Sequence, residues 1–231
     1  MSASDRQHTL AKAASITGTS LHTGEQVALT LQPAPENFGF KFRRIDLEDK
    51  PFIPALVEKV QKVERATTIA EGGVNVHTVE HVISALTGMG VDNAIIEMDA
   101  NEPPIVDGSS QPFVELIKKA GLQEQSEPRK IFEIREPIYQ ETRDGTILTI
   151  VPDKKFRVSC TNVGPGGRFT QYLSLEITPE AMADLGLGFI AAKPIPQVLR
   201  NINAFELGAK SVDPSITTRV IFTGEWSMPV K

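Results

Sequence analysis

Two imidazoles and a carboxylate stand close together in the run His77-Thr78-Val79-Glu80-His81. His77 and His81 are four apart, so on a continuous helix they share a face, with Glu80 beside His81 and three from His77. Such a grouping suits hydrolytic zinc chemistry. Neutral imidazole binds the metal, and a nearby carboxylate takes a proton from the metal-bound water, whose pKa the metal lowers toward ~7. A surface helix that happens to hold two histidines and a glutamate has about equal weight from spacing alone. The string also fits H-x-x-E-H, an inverted zinc-peptidase pattern that uses both histidines as ligands and needs a further acidic ligand. The remaining histidines are His8 and His22, so all four lie in the first 81 positions. Cys160 is the one cysteine; it sits in an apolar strand-like run and reads as core rather than nucleophile. A single cysteine excludes an intrachain disulfide and a Cys-rich zinc site.

The elements that must position these groups follow from periodicity. Val27, Leu29 and Leu31 alternate with Ala28 and Thr30, a half-buried strand. Gly18 and Gly24 place turns on either side of Leu21-His22-Thr23. Phe38 to Arg44 reads as a short strand, and Phe52 to Val63 leans to strand through Ile53, Ala55 and Val57. Val74 and Val76 lead into a helix with Thr78 as N-cap. Val79, Val82, Ile83, Leu86 and Met89 form its buried stripe, and Gly88 and Gly90 its stop. Ala94 to Met98 is an apolar strand. A second helix begins near Ser109 or Ser110 with Phe113, Leu116, Ile117 and Ala120 inward. Asp107-Gly108-Ser109 reads as a turn and helix cap. Residues 122 to 130 are polar and read as a linker. Beyond it, Asp144-Gly145 favours a tight primed turn between Ile138–Arg143 and Thr146–Val151. Phe156 to Thr161 and Phe169 to Ile177 are further strands, joined plainly by Gly164 to Gly167, with no P-loop lysine. From Ala181 onward glycines and prolines scatter without a clean period.

The 231 residues suit one large domain or two small ones. Hydrophobic residues make up 40% and charged residues 23%, which excludes a disordered chain. A net charge of -5 makes general nucleic-acid or anionic-membrane binding a poor reading. Met1 to His8 is polar and unlike a secretory signal. No run approaches the ~18 consecutive apolar residues of a membrane helix, so no transmembrane segment and a cytoplasmic location are expected.

The run GGVNVHTVEHVISA (Gly72 to Ala85) resembles the zinc-dependent UDP-3-O-acyl-N-acetylglucosamine deacetylases of bacterial lipid A synthesis. The same resemblance continues in SLHTGEQVALTLQPAPEN (Ser20 to Asn37), FKFRRIDL (Phe40 to Leu47), GMGVDNAIIEMDANEPPIVDGSSQPFVELIKKAG (Gly88 to Gly121) and VPDKKFRVSCTNVGPGGRFTQYLSLEITPE (Val151 to Glu180). It covers about His8 to Glu180 and is nearest to the form fused with a 3-hydroxyacyl-acyl-carrier-protein dehydratase, although no dehydratase half is present. The resemblance implies that His81 is a zinc ligand and that Glu80 is the general base on zinc-bound water. His77 falls where the family has no zinc ligand. His22, in the L-H-T-G segment, is a supporting residue near the active site, or equally a residue that only holds a turn. The implied fold is α+β, two similar domains forming a β-α-α-β sandwich with helices between the sheets. Domain one covers residues 1–126, and a second, incomplete domain covers 127–231, with an unrecognised tail from about 181. The implied reaction is hydrolysis of the N-acetyl group of UDP-3-O-(3-hydroxyacyl)-N-acetylglucosamine.

The departures from the family are specific. Its H-K-x-x-D zinc ligands, its later general-acid histidine and its A-R-T-F oxyanion threonine are absent, and no histidine follows His81. One histidine is not a catalytic zinc site, which normally has three protein ligands. A truncated or frame-altered deacetylase with a foreign tail is therefore expected; if neither alternative reading frame of the coding DNA encodes the missing motifs, the frame-shift version fails. A catalytically inactive remnant that at most binds nucleotide sugar is the alternative from a different class, with the H-x-x-E-H peptidase behind it. An incomplete second domain should expose sheet edge and apolar surface and so favour self-association.

Overall fold

The computed structural model describes residues 6–63, 66–143, 145–163, 170–179, 181, 188–191 and 219–222. Its centre is a five-stranded sheet with the order β2 (Ala14–Thr19), β3 (Gln26–Pro33), β9 (Ala94–Met98), β4 (Phe40–Arg44), β5 (Phe52–Pro54). Only the β4–β9 pair is parallel. The alternation in β3 puts Val27, Leu29 and Leu31 on one face, all buried, as the period-2 pattern requires. Ile96 and Met98 of β9 and Phe42 of β4 join them on that face. Each such fully buried side chain contributes about 1.5–3 kcal/mol.

Two helices cover this apolar face: α1 (Glu80–Gly88) and α2 (Gln111–Ala120), which pack on each other, with α2 against β2 and β3. Of the stripe expected on α1, Val79, Val82, Leu86 and Met89 are buried, Ile83 is half-buried and Ala85 is added; on α2 Phe113, Leu116, Ile117 and Ala120 are buried, with Val114 added. Ser109 Oγ accepts the Gln111 N–H (3.1 Å), and Asp107 Oδ1 accepts both the N–H (2.9 Å) and the hydroxyl (2.8 Å) of Ser109. The Asp-Gly-Ser run is thus a turn, as its residue types suggest, while the N-cap position of α2 falls to Ser110, which makes no side-chain cap bond. A three-stranded sheet, β6 (Val60–Lys62), β7 (Thr68–Glu71) and β8 (Val74–Val76), leads into α1. The lean to strand over Phe52 to Val63 holds for β5 and β6, with a 3₁₀ turn at Val57–Lys59 between them.

Four expectations need correction. The polar linker at 122–130 is mostly a strand, β10 (Leu122–Pro128), antiparallel to β1 (Arg6–Leu10). Its polar side chains gave no apolar period, but one of them, Gln125, joins a buried amide network: Asn93 Nδ2 donates to Gln125 Oε1 and to Gln7 Oε1 (2.8 Å each), and Asn93 Oδ1 accepts the Gly39 N–H (2.8 Å). Thr78 is not the N-cap of α1; Val79 occupies that position, because Thr78 turns left-handed, at φ 54°. Cys160 is exposed rather than core, since its strand is covered by no second layer among the described residues. The Ile138–Val151 hairpin forms, but Thr142 N–H bonds to Thr146 O (2.9 Å), so its tip is longer than a two-residue turn. Asp144, the Gly164 to Gly167 connection and almost all of the chain beyond Ala181 lie outside the described residues.

The second part of the chain carries the hairpins β11 (Ile138–Glu141) with β12 (Ile147–Ile150), and β13 (Arg157–Asn162) with β14 (Gln171–Glu176). A parallel pair, β15 (Gly188–Ala191) and β16 (Arg219–Phe222), follows. The fold class is α+β. Among the described residues no helix is long and apolar enough to cross a membrane.

Candidate functional site

β8 ends at Val76, and the chain leaves its sheet through His77, whose N–H donates to Asn101 O (2.8 Å). His77 Nδ1 lies 2.9 Å from Thr68 Oγ1. Thr78 then adopts φ 54°, a conformation costly for a β-branched residue, on the order of 1–3 kcal/mol. The residue is held there by its hydroxyl, which donates to Glu102 Oε1 at 2.6 Å. This turn delivers the chain into α1 with Glu80 as the first helical residue and His81 as the second.

Glu80 is half-buried. Its Oε2 accepts the Thr67 N–H (3.1 Å), and its place in the first turn suits the positive end of the helix dipole. One carboxylate oxygen is thus anchored, which orients the other. His81 is also half-buried, and its Nδ1 is buried with no hydrogen-bond partner. A buried nitrogen in that state costs about 1–3 kcal/mol unless a ligand satisfies it. His8 Nδ1, Arg43 Nε and Asn101 Oδ1 are in the same state, so the orphaned atom is compatible with a bound group at His81 and does not by itself mark one.

The helical face expected to join His77 to His81 does not exist. α1 begins at Glu80, so the two histidines lie on opposite sides of the Thr78 turn. Among the described residues no three His, Cys, Asp or Glu side chains converge to hold a metal ion. The H-x-x-E-H geometry is therefore not formed. His81 is one donor, whereas a catalytic zinc site has three, so the described residues do not complete a zinc site.

His22 stands on an exposed turn between β2 and β3. Its backbone N–H and that of Thr23 both donate to Glu102 Oε2, at 2.9 and 3.0 Å. Glu102 is wholly buried. Burial pushes its pKa up, but the bonds from Thr78, Thr23 and His22 outweigh that and hold the carboxyl below its ordinary value. Glu102 escaped the sequence reading because its donors come from segments 24 to 80 residues away. The signal that could have found it is a lone carboxylate ahead of Pro103-Pro104, where the chain leaves a buried strand.

The chain is an α+β sheet-and-helix unit in which one helix begins with a carboxylate anchored through one oxygen and a histidine whose buried Nδ1 has no hydrogen-bond partner. Residues 7–184 match the family model described as LpxC, UDP-3-O-acyl N-acetylglycosamine deacetylase, and the chain belongs to that family. It is 46% identical over 155 residues to the UDP-3-O-acyl-N-acetylglucosamine deacetylase of Myxococcus xanthus, covering 67% of this chain and 49% of that protein. The protein of the same name from Teredinibacter turnerae is 49% identical over 155 residues, 67% of this chain and 50% of its own length. The bifunctional enzyme LpxC/FabZ of Chlorobaculum tepidum is 44% identical over 154 residues, 66% of this chain and 33% of that protein. The chain thus spans about half the length of the single-function relatives it matches.

Proposed function

We propose that this chain carries the base-bearing half of a deacetylase site that removes the N-acetyl group of UDP-3-O-acyl-N-acetylglucosamine in lipid A biosynthesis. Water adds to the acetamide carbonyl, the C–N bond breaks, and acetate and the free amine leave. Glu80 takes the proton of the attacking water at Oε1, while the Thr67 N–H holds Oε2 in place. The proton passes from Glu80 to the departing nitrogen, so atoms and charge balance. The reading includes Zn2+, with His81 its one ligand among the described residues; the chemistry that the chain itself supplies is the proton transfer at Glu80. His22 stays a supporting residue whose turn borders the site. The division into a first domain to about residue 126 and a partial second domain in a sandwich arrangement belongs to the same reading, as do a cytoplasmic location and a dehydratase as fused or neighbouring partner.

The observation that carries the proposal is the start of α1, where the anchored Glu80 precedes a His81 whose buried Nδ1 lacks a partner. Glu80→Gln is expected to lower deacetylation about 10²–10⁴-fold, with thermal unfolding unchanged. Unaltered turnover in that variant overturns the base assignment. A second reading, an inactive remnant, draws on the lack of a three-donor cluster among the described residues and of any histidine after His81. Metal analysis of the purified chain separates the two. About one tightly held zinc per chain, lost in His81→Ala, supports a working site; a folded chain without zinc supports the remnant.

A further inference from the structure

Full burial of a carboxylate is rare unless its oxygens are paired, and Glu102 is fully buried with both oxygens occupied. Neither oxygen bonds within its own segment. Oε1 takes the hydroxyl of Thr78, two residues before Glu80; Oε2 takes the N–H groups of His22 and Thr23. The backbone brings these segments together independently of the carboxylate. Ser20 and Pro104 form an antiparallel bridge, and Ile105 N–H donates to Thr19 O at 3.0 Å, so the chain leaving Glu102 runs beside the start of the His22 turn. Thr78 sits in the left-handed region, where a β-branched residue persists only if its surroundings hold it. The Glu102 carboxylate is the side-chain acceptor that does so.

We infer that Glu102 is a positioning residue that ties the His22 turn to the Thr78 turn and thereby sets where Glu80 and His81 point. The inference rests on the deacetylase reading only for what the positioned groups then do. A carboxylate that merely filled the core would be replaceable by an apolar side chain of similar volume, and the start of α1 would not feel the change. A carboxylate that positions transmits its loss through Thr78 to Glu80 and His81.

NMR of the full chain with labelled backbone amides and histidine rings tests this without any turnover measurement. Three reporters matter: the His22 and Thr23 amides, which bond Glu102; the Thr67 amide, which bonds Glu80; and the His81 ring. Glu102→Ala is expected to shift all three. Thr78→Val, which leaves the carboxylate in place, is expected to shift the Thr67 amide and the His81 ring in the same direction. Thr78→Ser, which keeps the hydroxyl, should restore both. Ile117→Val, a core change remote from the site, sets the background that general destabilisation produces. If Glu102→Ala and Thr78→Val move only the His22 and Thr23 amides, with Thr67 and His81 at that background, Glu102 is a structural carboxylate and the inference falls. If Glu102→Ala does not fold, the Val and Ser variants of Thr78 decide it. An intact set of shifts in a chain without deacetylase activity would count against the deacetylase reading and leave this one standing.

Discussion

At the scale of single residues, Glu102 and Glu80 show how one residue type occupies two environments. Glu102 is sealed from water and its oxygens are committed, so it has no proton-transfer capacity to offer. Glu80 is half-buried and anchored through one oxygen, and the proposed proton transfer uses the other. The difference has a measurable consequence in pH. The Glu102 carboxyl titrates below its ordinary value when folded, because its three hydrogen bonds outweigh burial. A carboxyl depressed on folding adds stability above the unfolded pKa of about 4.3, and that stability is lost as pH falls through the folded value. Glu102→Gln should therefore cost on the order of 2–3 kcal/mol near pH 7, and the gap to the parent should narrow below about pH 4. Urea unfolding of both chains across that range checks it. Parallel stability curves would mean that the pocket does not prefer the ionised form.

At the scale of elements, the site depends on how α1 begins and on how the strands beneath it are tied. The Thr78 turn lets β8 run out of its sheet and α1 start within three residues, and it carries His77 off the helix. The Asn93 network performs a comparable task for β1 and β10. One buried side chain joins the buried Gln7 to the half-buried Gln125 and Gly39 backbone. Asn93→Ala should strip Gln125 Oε1 and the Gly39 N–H of this partner, while Gln7 Oε1 keeps the Asn37 N–H, and cost about 2–4 kcal/mol. Hydrogen exchange should then speed selectively at the β1–β10 ladder, with α1 and α2 protected as before. Uniform loss of protection across the fold would show that β10 belongs to the same cooperative unit as the helices.

At the scale of the whole molecule, the two parts differ in how they use their apolar residues. The first part buries nearly all of its stripe residues in one cluster. The second part holds two-stranded hairpins, which are marginal alone in water, and leaves Phe132 87%, Ile131 74% and Phe156 63% exposed. Ile138 and Ile150 face each other across the β11–β12 ladder and are each half exposed. Apolar strand faces of this kind seek a cover. The chain is expected to self-associate, and Ile138→Lys with Ile150→Lys should weaken that about tenfold, roughly 1.4 kcal/mol, while leaving the unfolding of the first part unchanged. Sedimentation equilibrium provides the measurement. A monodisperse parent monomer at high concentration would contradict it.

Much of this architecture could be read from the residues because it is periodic. The alternation of Val27, Leu29 and Leu31 and the helical spacing of Val79, Val82, Leu86 and Met89 follow from geometry that repeats every two or about 3.6 residues, and burial acts on each residue where it stands. The candidate pair Glu80 and His81, on which the proposed reaction rests, was likewise visible, since adjacent residues carry it. What escaped was everything set by partners far along the chain. β10 reads as a polar linker until β1 supplies its ladder, and Cys160 reads as core until its strand is seen to lack a covering layer. The two histidines read as one helical face until Thr78 turns left-handed between them. The sequence by itself determined which residues could form the sheet face and the helices, and it placed the candidate pair Glu80 and His81 side by side. Only the tertiary structure decided that Glu102 gathers donors from 24 to 80 residues away, because a hydrogen bond depends on proximity in space and leaves no period in the chain.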